Sequence, residues 1–443
     1  MAASSASLYR TLWRWHFYAG LFVLPFVITL TLSGSVYLFK TQLERWEERA
    51  YRDLPINTSL PPSRQVEAAI AAFPQAHLDS YRLPARRGDA ALVKLSLPGS
   101  GSVREVFVSP QGIVLGSLNA DTRIVELARR LHSELFIGPP GSWLVELVAC
   151  WAFVMLVTGM YLWWPRGRGP GGVLWPRRGA MPRDLHAVTG FWISSLALVL
   201  LVTGLPWTHV WGGAFRSVRA EMGWVKGASK WDTGDTRSSS ADHHSTARRI
   251  SGDEPPPSAG LGVLDAIVAH AAQEDFAFPT VVLPPGTALF GVTSLDWVVY
   301  SMTQNRPLSL SITYDRSTGR EIARERFADR HPIDRIVGYG QAWHEGALFG
   351  GVNQLIGLLT AASLLTMSIT GFLMWRRRRP RGELGAPPPP TRTQAPIAVK
   401  LVAAALALLM PLLLASLLLF WLIDRLLPRV SPRAAKWLGL PTR

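Results

Sequence analysis

Leu131-His132-Ser133-Glu134-Leu135-Phe136-Ile137-Gly138 opens a stretch that runs through an apolar segment to Val157-Thr158-Gly159-Met160-Tyr161-Leu162-Trp163-Trp164. The arrangement returns 212 residues later. Trp343-His344-Glu345-Gly346-Ala347-Leu348-Phe349-Gly350 leads into a second apolar segment ending Ile369-Thr370-Gly371-Phe372-Leu373-Met374-Trp375. His132 precedes Gly159 by 27 residues and Trp163 by 31, and His344 precedes Gly371 and Trp375 by the same intervals. A second correspondence has an offset of 170: His16, Gly20 and Gly34 match His186, Gly190 and Gly204. Two such coincidences point to a tandem duplication in which each copy contributes two histidines at matched depths.

Five stretches of 20 or more predominantly apolar residues (17–39, 143–164, 187–207, 352–375 and 401–423) are each long enough to cross a bilayer core of about 30 Å. The 18 tryptophans gather near their ends, as interfacial anchors do. The formal charge of +15 therefore reflects Arg-rich loops beside apolar runs and is not a nucleic-acid signature. The only cysteine, Cys150, lies inside the second span. That excludes an intrachain disulfide, a cysteine-based metal cluster and the Cys-x-x-Cys-His of covalent haem attachment.

The expected fold is a mainly α membrane protein. Its four-helix transmembrane core is built from a repeated unit of span, exported α+β domain and span, and a fifth span follows at the C-terminal end. In chain order this gives an uncleaved signal anchor (1–40), a first exported domain (41–130), a second span (131–165), an Arg-rich loop (166–183) and a third span (184–208). A second exported domain (209–340), a fourth span (341–376), a Pro/Arg-rich linker (377–398), a fifth span (399–424) and a tail (425–443) complete it. The first exported domain is predicted to hold a helix at 64–73, a strand at 91–97 and a hairpin at 105–115. The second has a helix at 264–272 and strands at 298–302 and 310–323. Residues 226–258 are Ser/Asp/Gly/Pro-rich and are read as a flexible insertion carrying His243 and His244.

Arg166, Arg168, Arg177, Arg178 and Arg183, and then Arg376–Arg379 and Arg381, follow the second and fourth spans, so those loops read as cytoplasmic. The two long segments then fall in the periplasm of a bacterial inner membrane, with the N-terminus cytoplasmic. The tail conflicts with this scheme. A fifth span would export it, yet it carries Arg425, Arg429, Arg433, Lys436 and Arg443 against Asp424.

Trp13-Arg14-Trp15-His16-Phe17-Tyr18-Ala19-Gly20, Asp184-Leu185-His186-Ala187-Val188-Thr189-Gly190, the two His…Leu-Phe-x-Gly segments and the exported domains resemble the PepSY-associated transmembrane family. That family includes iron-regulated inner-membrane proteins and ferric-siderophore reductases. The resemblance covers about residues 8–380 and leaves the fifth span outside.

Ionisable side chains at membrane spans usually mark function. Under a parallel repeat, His16 would face His186 across the symmetry axis, and His132 would face His344. Opposed imidazoles suit a six-coordinate haem iron, so the expected cofactors are two non-covalent, bis-histidine b haems. A helix turns by about 100° per residue, so Gly20, Gly190, Gly34 and Gly204 lie on the faces of their histidines. Gly20 and Gly190 leave room for a flat macrocycle, and Gly34 and Gly204, about five turns away, again present a small residue to the partner helix. Close helix packing is the competing explanation for these glycines.

His209 has no counterpart in the other copy and is read as an interfacial bystander. Arg10, Arg14 and Arg183 lie at the depth of haem propionates. Zinc is less well served, having neither cysteine nor an acidic pair, although Glu134 and Glu345 adjoin two of the histidines. No nucleotide-binding loop is present.

The resemblance implies a ferric siderophore or chelate as electron acceptor, with a separate donor, either membrane quinol or a soluble flavin reductase. The competing expectations are a membrane-tethered regulator of a periplasmic peptidase, and a siderophore or metal permease component.

Overall fold

The computed structural model describes residues 2–56, 58–98, 102–164, 171–224, 261–289, 292–389 and 397–440. The predicted insertion at 226–258, with His243 and His244, lies outside the described residues, as do Arg166 and Arg168. Among the described residues five helices are long and apolar enough to cross a membrane: α1 (Ser7–Leu38), α2 (Pro139–Trp163), α3 (Arg183–Trp207), α4 (Gly351–Arg378) and α5 (Pro411–Val430). The chain is a membrane protein in which these helices accompany an antiparallel sheet. It divides into two compact units, one of residues 1–35, 129–217 and 355–443 and one of residues 36–128 and 218–354.

In the first unit, the chain before α2 turns sharply after His132. Leu135 and Phe136 both adopt positive φ, a conformation that side chains with a Cβ disfavour. Gly138 then precedes Pro139 and Pro140, which suit a helix start because prolines have no N–H to leave unpaired. Gly141 has to be glycine, since a Cβ there would collide with the Glu134 carbonyl. Glu146, a buried carboxylate inside α2, accepts from the backbone N–H groups of Val210 (2.8 Å) and Trp211 (2.9 Å). It thereby satisfies the free amides that open the helix Val210–Glu221.

The C-terminal apolar stretch departs from the single span expected over 399–424. It forms two helices, Ile397–Leu409 and α5, separated by Met410 in extended conformation. Pro411 explains the break, because its ring disfavours the helical conformation at the preceding residue. Met410 and Leu413 are buried against Val148, Cys150, Trp151 and Leu205.

The second unit is organised by eight strands: β1 (His77–Arg82), β2 (Ala91–Ser96), β3 (Val103–Val108), β4 (Val114–Asn119), β5 (Thr280–Leu283), β6 (Trp297–Ser301), β7 (Leu310–Tyr314) and β8 (Glu321–Arg326). They lie in the order β8-β7-β6-β5-β1-β2-β3-β4, with every neighbouring pair antiparallel. A helix followed by four strands of this sheet occurs twice; in the second set a small hairpin, Ala288–Leu289 with Val292–Thr293, stands between β5 and β6. β1 and β5 join the two sets through Tyr81 opposite Val282 and Arg82 opposite Val281.

The sequence places one face of each strand in a core, and that core is continuous across the junction. Val93, Leu95, Val106, Val282, Val299 and Ile312 pack with Val66 and Ala69 of the helix Pro62–Ala72 and with Leu264 and Ile267 of the helix Gly262–Ala271. Asp265 ties the two helices together by accepting from the Ser63 N–H (2.8 Å) and hydroxyl (2.7 Å).

On the edge of the first set, Arg123 lies among Glu47 (2.9 Å), Glu48 (2.9 Å) and Glu105 (2.8 Å), and Lys94 also meets Glu105 (2.8 Å). Burial alone would raise the Glu105 carboxyl, but the Lys94 and Arg123 cations outweigh it and hold it at about 2.

Candidate functional site

Three of the four predicted histidines lie in the first unit, and each is seated in the same way. His16 projects from α1 so that its Nδ1 lies 3.0 Å from the Thr158 hydroxyl of α2. That hydroxyl donates to the Val154 carbonyl (2.7 Å), so its oxygen accepts the imidazole proton. Gly159 lies beneath the ring, and a Cβ there would approach His16 Cε1 to 3.1 Å. His186 of α3 makes the equivalent contacts with α4, where Nδ1 reaches the Met367 carbonyl (3.0 Å) and the Thr370 hydroxyl (3.2 Å). A Cβ at Gly371 would lie 3.5 Å from its Cε1. His132 repeats the arrangement against α1, with Nδ1 3.0 Å from the Leu30 carbonyl and 3.2 Å from the Ser33 hydroxyl. A Cβ at Gly34 would approach its Cε1 to 3.1 Å.

The recurring element is a helical carbonyl, a Ser or Thr three residues on, and a glycine next. The hydroxyl and carbonyl orient a neighbouring imidazole, and the glycine makes room for it. A carbonyl can only accept, so these histidines carry their proton on Nδ1 and present a lone pair on Nε2. Metal-ligating histidines are usually oriented by such a backbone acceptor. Leu200, Thr203 and Gly204 of α3 repeat the pattern in sequence, and the Thr203 hydroxyl donates to the Val199 carbonyl (2.7 Å) as in the other seats. His344 ends the helix Pro332–His344 and belongs to the second unit.

The imidazoles of His16 and His186 are brought together, with ring centroids 6.5 Å apart and planes at 88°. Gly20 and Gly190 border this pair differently from the expectation of open space. The Met155 methyl lies 3.8 Å from a Cβ position at Gly20, and the Met367 methyl 3.1 Å from one at Gly190. Met155 and Met367 are themselves 212 residues apart, and each precedes by three the threonine that orients a histidine. The sequence carried these signals in Val-Thr-Gly and Ile-Thr-Gly. Spacing within one helix could not show that the glycine serves a histidine on another.

The other candidates are placed as follows. Arg14 donates to the carbonyls of Pro387 (2.6 Å) and Gly439 (2.7 Å). Two residues before His16 is about 160° around the helix, so Arg14 leaves the helix on the far side from the imidazole, and the propionate role expected from depth does not fit it. Arg10 and Arg183 are exposed. His209 is exposed beside Trp143, with ring centroids 5.7 Å apart. Glu134 pairs with Arg129 (3.5 Å), and Glu345 accepts from Gln341 (2.8 Å). Among the described residues no three His, Cys, Asp or Glu side chains converge as a metal cage would need.

Apolar helices, an antiparallel sheet and histidines seated between helices define a multi-span membrane protein with a pair of neighbouring imidazoles. The chain belongs to the PepSY-associated TM region family, whose model matches residues 13–378. Among curated proteins no match was found.

Proposed function

We propose that the chain is a haem-binding electron-transfer protein of a bacterial inner membrane that reduces a ferric siderophore or other ferric chelate on the periplasmic side. The observation that carries this is the His16–His186 pair. Two imidazoles on opposite sides of one metal, each bonded at about 2 Å, have centroids about 6 Å apart, and the observed 6.5 Å matches that separation. Nδ1 of each ring is engaged by a hydroxyl or carbonyl, so Nε2 is the nitrogen that would bind a haem iron. The donor set is two neutral imidazoles without a third protein ligand, which suits the axial positions of a haem better than a zinc cage.

When bound, haem supplies a one-electron ferric/ferrous couple with no open coordination position. The residues of the chain orient the imidazoles, and the surrounding apolar side chains exclude water. His132 is the candidate ligand of a second haem, because its seat repeats that of His16; His344 is its counterpart in the sequence repeat. From His16 to Leu30 and Ser33, which hold His132, is about 21–26 Å along α1. The two levels are therefore set near opposite ends of the helix.

The reading includes a tandem duplication. It is supported by the helix-and-four-strand order occurring twice and by the offsets of 212 and 170 shared by histidines, threonines, methionines and glycines. Arg-rich segments after α2 and α4 orient the protein with those ends cytoplasmic and the sheet unit periplasmic. Electrons come from a separate donor, quinol or a soluble flavin reductase.

The test is an absorption spectrum of the detergent-purified protein, oxidised and reduced, with a pyridine-haemochrome count. A low-spin b-type spectrum at about two haems per chain, reoxidised by a ferric siderophore, is expected. A colourless protein after haem-supplemented expression would overturn the proposal and favour a peptidase regulator.

A further inference from the structure

The segment after α4 contains the one apolar run outside the family match, and its two ends meet. Arg14 of α1 donates to Pro387 before the run and to Gly439 after it. The Tyr18 hydroxyl donates to the Leu438 carbonyl (2.6 Å), and the Leu384 N–H to the Trp437 carbonyl (2.9 Å). A Cβ at Gly439 would lie 3.1 Å from that of Ala386. Residues 384–387 and 437–439 thus form one patch, fastened to the N-terminal part of α1 within a single compact unit.

Between these ends the chain goes deep into the helices. Met410 and Leu413 are 2% and 1% exposed, and Ser416 accepts from the Trp151 indole (3.2 Å). Trp151 stands twelve residues from Trp163, about 18 Å along α2. A segment that leaves a patch, reaches the level of Trp151 and returns to the same patch crosses a bilayer an even number of times, whatever the angle at Met410.

We infer that the two helices Ile397–Leu409 and α5 enter and leave the membrane on one face, so that the tail lies on the same side as Arg376–Arg381. The charge pattern supports this. Arg425, Arg429, Arg433 and Lys436 are exposed near the exit and Arg376–Arg379 and Arg381 near the entry, so one rule of positive charge serves both. The conflict posed by a basic tail exported through a single fifth span disappears. Calling this face cytoplasmic rests on the orientation proposed above; the same-face return does not.

Single cysteines at Arg433 or Lys436, and a reference cysteine at Arg381, are introduced into the full chain with Cys150→Ala. A membrane-impermeant maleimide is applied to spheroplasts and to inverted vesicles. Labelling of R433C, K436C and R381C only in inverted vesicles is the expected result. Labelling of all three only in spheroplasts would keep the return and overturn the orientation. Labelling of the tail cysteines from the side opposite to R381C would overturn the inference. None of these readouts depends on haem.

Discussion

The His16 and His186 rings, carried by α1 and α3, stand edge to face with centroids 6.5 Å apart. Neither ring hydrogen-bonds the other through Nδ1, because each Nδ1 is taken by a different helix, Thr158 on α2 and Met367 on α4. Four helices therefore cooperate to hold these two rings beside each other.

If one haem iron joins these rings, His16→Ala and His186→Ala should each remove the same chromophore, about one of two per chain. The remaining spectrum should be identical in the two variants. Haem counts and reduced-minus-oxidised spectra check this, and two different residual spectra would break the pairing.

The glycine seats differ in tightness. A methyl at Gly159 meets His16 at 3.1 Å, whereas one at Gly371 meets His186 at 3.5 Å, an ordinary contact. Gly159→Ala should therefore tilt the His16 ring and lower haem retention or shift the low-spin signal. Gly371→Ala should leave both close to wild type. Electron paramagnetic resonance of the ferric forms gives the comparison.

Arg123 is only 8% exposed and serves three carboxylates. Arg123→Ala leaves buried acids without their cation and should destabilise the sheet unit by about 3–5 kcal/mol. The transition in β-sheet circular dichroism would move to lower temperature, and an unchanged transition would contradict the role given to the network.

Glu105 gives the unit an acid limit. Its folded value of about 2 lies below the ordinary 4.5, so its contribution is complete above about 4.5 and is lost as pH falls towards 2, roughly 3 kcal/mol in all. Thermal melts between pH 5 and 2 should show this decline. Glu105→Gln should start from a lower stability and flatten that part of the profile.

Much of the architecture was legible in the chain because the signals are local or periodic. Apolar runs give the spans, alternation gives most strands, and fixed offsets link His16 to His186 and Thr158 to Thr370. The sequence also named the histidines, since an imidazole beside a bilayer core is conspicuous. What it left open are meetings between segments far apart in the chain, which periodicity within either segment does not encode. β1, His-Leu-Asp-Ser-Tyr-Arg, is too polar and β5 too short to be announced by the sequence, yet their pairing merges two α+β units into one sheet. In the sequence Gly34 is a small residue on the face of His16, and Gly159 only a mark of the repeat; packing makes them seats for His132 and His16. Composition alone cast residues 401–423 as a span. Pro411 marks the break after Met410 locally, but tertiary structure alone decided that the chain returns to Arg14, because only there do the carbonyls of Pro387 and Gly439 meet one guanidinium.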